Sequence, residues 1–323
     1  MATTNIKSSK LVTILPHLGL IIVYILWGIN ITSMKIGGRE WDPFIFNGVR
    51  FLGVTPFLWV YTYYYCKKRK LSIRMKPKDM LLIFGLGAIT GLGLEALLSY
   101  ALQYSNAANG AVLGRGLMPM ITVLISLALR EVAFTWRLLV GLPLALISAL
   151  VIVSGGSEGF HLSSDTIHGD GLLLLRSVFG AVYLIGMSRL VKNYPLPLLI
   201  TMEVTAAGIC LLPFIFLRMD THYLASVSAV GWISLVYTVV FATIVGFSLH
   251  NWSLGHLGPF KSSVYGYLLP ITGALAGLWI LHEPIGWNQI LGGLGVLLAM
   301  YLVQKDRMQL IRKSVLKKGY KAC

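Results

Sequence analysis

Five ionisable side chains stand inside otherwise apolar runs of this chain: Arg50, Glu95, Arg115, Arg176 and Glu203. A charge among apolar neighbours is costly to keep, so such residues face a cavity or one another. A guanidinium offers a planar fork of donors to a carboxylate or phosphate, a geometry that lysine lacks. Three arginines and one glutamate at one depth would pair once, Glu95 with Arg50 or Arg115, and leave a guanidinium free for an anionic group. The same residues would equally make a closed structural ion-pair network. Glu203 stands apart, as a carboxyl suited to reversible proton binding or as a partner for an inner-face lysine or a helix cap. Glu95 is the second candidate for the proton role.

The surroundings decide what kind of medium these charges sit in. The chain is 56% hydrophobic and only 12% charged, with a mean hydropathy of +0.75, whereas about a quarter of residues are charged in soluble proteins. It is an integral membrane protein with the lipid bilayer as its first partner. The formal charge of +15 does not point to nucleic acid, because the basic residues fall in short loops and at the C-terminus, not along one face. Cys66, Cys210 and Cys323 are far apart, without CxxC or a histidine spacing that suggests a metal. Cys323 is too close to the end for a prenylation box. The apolar run after Lys7 and Lys10 lacks a small-residue cleavage site and reads as a retained first helix. The sequence has no HExxH zinc helix, no GxxxxGK[ST] phosphate loop and no GxSxG elbow on a strand-to-helix turn, so neither an enzyme nor a nucleotide-driven pump is expected, and no cofactor.

A bilayer core needs about 20 apolar residues per helix. Cutting the sequence at its polar, Pro and Gly breaks yields ten such runs, near 13–34, 44–66, 79–102, 107–129, 136–154, 170–190, 197–217, 229–250, 261–281 and 286–304. With the N-terminus inside, every loop or tail Lys and Arg except Lys35, Arg39 and Arg218 falls on the cytoplasmic side, which predicts cytoplasmic termini. An offset of about 152 relates Gly19 to Gly171, Gly28 to Gly180, Pro43 to Pro195 and Gly141 to Gly293. The expected organisation is a repeat over 11–154, a second over 169–304, and a basic cytoplasmic tail over 305–323. Five helices per repeat invert the second copy, giving an all-α membrane fold of two inverted five-helix repeats around a central cavity. Such repeats place a shared site near the midplane and expose it to each side in turn.

The halves echo each other most clearly at Ala107 to Leu129 and Phe260 to Leu281, each with small residues early, a proline near the middle, and a glutamate after it, Glu131 or Glu283. Pro119 and Pro270 are expected to kink their helices, with freed carbonyls satisfied by protein or a water-filled cavity. Small-xxx-small pairs Gly87/Gly91, Gly110/Gly114 and Gly273/Gly277 allow close helix approach. Gly292, Gly293 and Gly295 fit a helix seam within the chain or in a homodimer.

At 1.5 Å per residue, Arg50, Arg115, Arg176 and Glu95 all lie about 10 Å below the outer surface, and Glu203 about six residues in from the cytoplasmic end of helix 7. Trp27, Asn30, Asn47, Tyr183, Tyr265 and Tyr267 are polar or aromatic candidates to complete a binding cavity with them.

The strings ALQYSNAANGAVLGRGLMPMITVLISLALREVAFTWRLLVGLPLALISALVIV and NWSLGHLGPFKSSVYGYLLPITGALAGLWILHEPIGWNQILGGLGVLLAMYLV resemble the paired signature segments of the EamA-type drug/metabolite transporter superfamily. The resemblance implies a ten-helix inverted-repeat exporter, in a bacterial inner membrane, with a cavity lined mainly by helices 1 to 4 and 6 to 9. The glycine usual before each signature glutamate is Arg130 in the first half and His282 in the second. Together with the arginines, this suggests a small-molecule substrate with a carboxylate, such as an amino acid, moved by alternating access and driven by an ion gradient, with protons one choice, or by the substrate's own gradient. The alternative is a flippase for a lipid-linked anionic carrier.

Overall fold

The computed structural model describes residues 3–128, 135–154 and 164–302, and every regular element among them is helical. Arg130, Glu131 and the tail 305–323 lie outside the described residues. Seven helices have the length and apolarity to cross a membrane: α1 (Ile14–Glu40), α2 (Pro43–Lys68), α3 (Pro77–Ala101), α4 (Ala107–Ile125), α6 (Ile167–Leu190), α7 (Leu196–Arg218) and α8 (Ala229–Leu254). Three shorter apolar helices complete the set, α5 (Trp136–Ile152), α9 (Tyr265–Leu281) and α10 (Trp287–Leu302). The order is five helices, a break, and five more.

Local chemistry starts these helices where they start. Pro43 and Pro77 occupy the first turns of α2 and α3, where a missing N–H costs nothing. The Asp42 carboxylate accepts from the amides of Phe44 and Ile45 at 2.9 and 3.3 Å and takes Arg218 from the end of α7 at 2.9 Å. Burial and the neighbouring Asp42 charge push the Tyr223 hydroxyl, outside the spans, above its usual range. That hydroxyl accepts from the Asp42 amide at 2.5 Å and so fixes the α1–α2 turn.

The two groups of five are interleaved. α2 packs on α7, where Thr62 and Thr201 hydroxyls meet at 2.8 Å and Trp59 donates to Thr205 at 3.1 Å. α1 packs on α8, Ser33 donating to the Ser234 carbonyl at 3.0 Å, and on α9, where Thr272 donates to the Tyr24 carbonyl at 2.9 Å. Small residues set how close these helices come. A Cβ at Gly87 would stand 2.4 Å from Ala206 Cβ across α3 and α7, and one at Gly273 would stand 2.6 Å from Ala111 Cβ across α9 and α4. Gly292 and Gly295 abut Ser148 of α5, so the glycines of α10 make a seam within one chain.

Three spans are not uniform. Their hydrogen bonds widen from i→i+4 to i→i+5 over Ile89–Ala96 in α3, Val112–Gly116 in α4 and Thr238–Val245 in α8. Each π-helical turn inserts a residue and changes the direction of those beyond it. α3 and α8 are the third helices of their groups, so two of these turns stand at equivalent places. Pro119 is the second residue of the segment Met118–Ala128, which restarts α4 after its π-helical turn. Pro270 is the third residue of Leu268–Leu281, directly after the 3-10 turn Tyr265–Tyr267. At both places the proline stands where a helix restarts and an N–H has no partner to lose.

α9 ends at His282 with φ 54°, in the left-handed region, and the Glu283 amide closes the cap on the Gly277 carbonyl at 3.2 Å. Glycine adopts that conformation freely and an L side chain does not. Replacing His282 with glycine therefore stabilises the folded protein by about 1 kcal/mol. The expected result is a Tm a few degrees higher in detergent than for the wild type; an unchanged or lower Tm contradicts this account.

Candidate functional site

Where the repeats interleave, α2, α4 and α6 bring three guanidinium groups onto one carboxylate of α3. Glu95 Oε2 accepts from Arg50 Nη1 at 3.0 Å. Its Oε1 accepts from Arg115 Nη2 at 3.2 Å and from Arg176 Nη2 at 3.4 Å. Both acceptor atoms are thus occupied by guanidinium groups, and the positive charges outnumber the negative one. Like-charge repulsion in a poorly hydrated site is tolerated only with further hydrogen bonds to hold each cation.

The three arginines differ in how completely they are held. Arg176, 1% exposed at its side chain, donates Nε to the Leu94 carbonyl at 2.9 Å and Nη1 to the Gly114 carbonyl. Leu94 and Gly114 lie in the π-helical turns of α3 and α4, so this guanidinium ties both turns together. Arg50 donates Nε and Nη2 to Thr243 Oγ1 at 3.4 and 3.3 Å and Nη1 to Asn47 Oδ1 at 3.4 Å. Thr243 belongs to the third π-helical turn, where its hydroxyl donates to the Thr238 carbonyl at 2.7 Å. Asn47 is itself fixed by donating to Pro43 O and Ser99 Oγ at 2.9 and 3.0 Å. Arg115 is the loosest: its side chain is 23% exposed, and its Nε is buried with no acceptor among the described residues. All three irregular turns therefore converge on the cluster, and one arginine of the three keeps spare donor capacity.

A second polar group ties the ends of α1, α3, α4, α6 and α9. Lys35, buried on α1, donates to Glu283 Oε1 at 2.5 Å and to the Ser105 carbonyl at 2.6 Å. Glu283 Oε2 accepts from the Ala107 amide at 2.8 Å, capping the N-terminus of α4. Asp170 of α6 accepts from Ser105 Oγ at 2.5 Å and from Asn109 Nδ2 at 3.1 Å, and Gln289 of α10 donates to Asn109 Oδ1 at 3.0 Å.

A model of the EamA-like transporter family matches residues 14–154 and again 167–304. The chain belongs to the EamA-like transporter family. The chain is similar to a probable amino-acid metabolite efflux pump of Salmonella typhimurium, 24% identical, covering 87% of this chain and 92% of that one. An uncharacterized transporter of Archaeoglobus fulgidus is 28% identical over 91% and 98% of the two chains. A solved crystal structure with 16% identity shares the fold, with a TM-score of 0.60 over 91% of this chain. As an EamA-like transporter, this is a multi-pass membrane protein and not an enzyme.

In this EamA-like chain the remaining sequence candidates fall in three other places. Trp27 donates to the Ala242 carbonyl at 2.9 Å and packs edge-on to Tyr24 and Phe247, with ring centroids 5.4 and 5.7 Å away. Asn30, on the same helix, is 3% exposed with its side-chain oxygen lacking a donor among the described residues. Tyr183 binds Glu203 instead of an arginine, donating to Oε2 at 2.9 Å, while Thr90 donates to Oε1 at 2.7 Å. Tyr265 meets His17 at 2.6 Å, and the Tyr267 hydroxyl is buried with no hydrogen-bond partner among the described residues. Lys35, Asp170, Asn109 and Thr243 escaped the sequence reading. For Lys35 a signal existed, since it lies four residues after Ile31 on one helix face and α1 runs on to Glu40.

Removing one member of a buried ion pair leaves the other charge stranded, at a cost of about 3–5 kcal/mol. Lys35→Met should therefore destabilise strongly, whereas Lys35→Met combined with Glu283→Gln should recover at least about 1 kcal/mol of that loss. Denaturation of Lys35→Met, Glu283→Gln and the double variant in detergent measures the coupling, and strictly additive losses would mean that the pair does not act as one.

Proposed function

We propose that the chain exports a small carboxylated metabolite, an amino acid or a close relative, by alternating access between its two five-helix repeats. The observation that carries this is Arg115: the partly exposed guanidinium of an arginine-rich cluster, with a buried Nε that donates to nothing among the described residues. A carboxylate arriving there would meet a planar fork of donors and neutralise surplus positive charge. Arg50 and Arg176 set the field, and Asn47 holds Arg50. Asn30, Trp27, Tyr183, Tyr265 and Tyr267 remain contacts for the rest of the molecule along its path. The efflux-pump name of the Salmonella relative supports the class of cargo and the outward direction. Five helices per repeat place the second copy upside down, and the loop-charge asymmetry supports cytoplasmic termini in a bacterial inner membrane.

One observation favours a second reading, a flippase for a lipid-linked anion. An apolar cavity of about 240 Å³ lies between α4, α5, α9 and α10, lined by Val112, Ile152, Ile271, Ile290 and Leu294 among others. Ile271 and Leu294 are 44% and 59% exposed, on a face that fits lipid. An acyl chain would fit such a space, while the arginines took the head.

The two readings separate in one comparison of cells expressing the wild type and Arg115→Gln, matched for expression and membrane insertion. Untargeted profiling of the medium should find a carboxylated metabolite that accumulates with the wild type and falls to the empty-vector level with Arg115→Gln. An identical medium for both proteins overturns the exporter assignment, and a change confined to lipid extracts installs the flippase.

A further inference from the structure

Glu203 takes no part in the arginine cluster, yet it is 6% exposed on α7 and no cation pairs with it among the described residues. Its partners are two hydroxyls, Thr90 Oγ1 on α3 at 2.7 Å and Tyr183 Oη on α6 at 2.9 Å. A hydroxyl both donates and accepts. An ionised Glu203 is therefore satisfied by receiving two hydrogen bonds. A protonated Glu203 is satisfied too, by giving its own proton to either hydroxyl. Glu95 differs in kind, because its guanidinium partners only donate and so require the carboxylate. Of the titratable groups on helices packed against α7, Tyr183 of α6 and Glu95 of α3 face Glu203. Arg50 of α2 and Arg176 of α6 are turned to Glu95 instead.

Thr90 and Glu95 belong to the same π-helical turn, Ile89–Ala96. From this shared turn we infer that Glu203 is a proton-binding site coupled through Thr90 to Glu95 and its arginines. The proton comes from the aqueous phase and returns to it, and only an O–H bond is made and broken. On uptake, Thr90 changes from donor to acceptor, and its freed hydrogen turns to a carbonyl of its own helix. A π-helical turn can take that change by moving its extra residue along the helix, which rotates each side chain it passes by about 100°. Glu95 is the charged side chain within that turn. Gly87 and Gly91, pressed against α7 at Ala206 and Ala207, leave α3 no room to shift toward α7, which favours rotation as the response. In transport, this inference rests on the arginine cluster being the substrate site; the protonation and the helix response do not.

Two measurements without substrate test it in lipid nanodiscs. Infrared difference spectra between acid and alkaline buffer should show a carboxylic-acid C=O band that disappears in Glu203→Gln and shifts in Glu203→Asp. Hydrogen exchange of residues 89–96, corrected for intrinsic rates, should change several-fold between the two buffers in the wild type and stay flat in Glu203→Gln. Thr90→Val should keep the band but lose the exchange response, since it cuts the link and leaves the carboxyl. A band that persists in Glu203→Gln, or wild-type exchange in 89–96 that is equal in both buffers, overturns the proposal. Because no substrate enters either measurement, failure of the exporter reading leaves these results standing, and the reverse.

Discussion

One carboxylate shared by three guanidinium groups is the constraint on which this membrane fold turns. Burying a single ion away from water costs several kcal/mol even after relaxation. Glu95, 8% exposed, is held by Arg50, Arg115 and Arg176 from three other helices. None of the four charges is satisfied unless α2, α3, α4 and α6 keep their registers. The cluster thus locks the first repeat to the second, since Arg176 and the Thr243 partner of Arg50 come from the latter. Removing Glu95 would leave an uncompensated triple cation, which explains why the π-helical turns gather there. They supply the Leu94 and Gly114 carbonyls, acceptors that a regular helix uses in its own ladder, and beside them the Thr243 hydroxyl.

Packing supports this by being close where the cluster needs precision. A Cβ on Gly91 would stand 3.0 Å from the Ala207 carbonyl, and one on Gly114 3.3 Å from Leu173. Such contacts leave no slack in the helices that carry Glu95, Arg115 and Arg176. Dispersion between helices, more than any hydrophobic drive, keeps membrane helices together, so the small residues and the charges act on the same interfaces.

The sequence made the outline of this arrangement readable, because apolar length and loop charge are one-dimensional signals. Ten runs appear as seven long and three shorter apolar helices, and depth counted at 1.5 Å per residue puts Arg50, Glu95, Arg115 and Arg176 at one level, where the structure brings them together. Depth says nothing of azimuth. Tyr183 therefore went unassigned to Glu203, and Tyr265 to His17. A π-helical turn leaves no mark in composition, so Thr243 read as one more residue of an apolar run. An apolar run that ends at residue 34 puts Lys35 in a loop, whereas α1 continues to Glu40. The glycine pair that made the loop reading natural, Gly37 and Gly38, is in fact needed for contact, with a Cβ at Gly37 only 2.5 Å from the Phe46 ring.

The repeats are alike in design but unequal in charge, and the inequality bears on which end opens more easily. At one end, Lys35 holds the signature Glu283, and Glu283 holds the first amide of α4. With the repeat offset of about 152, Glu283 corresponds to Glu131, but Lys35 corresponds to Met187. Met187 lies buried among Ile83, Leu86, Leu190 and Leu199. A lysine held by an ion pair and a carbonyl must lose both before its helix can move, whereas a methionine in a cluster of aliphatic side chains slides with little change in contact energy. Any motion that parts the helices at Lys35 must first break an ionic tie that the Met187 end lacks, and neutralising Glu283 or drawing Lys35 away removes it. Two residues at equivalent positions, one charged and one not, thus make the two repeats unequal in what ties their helices.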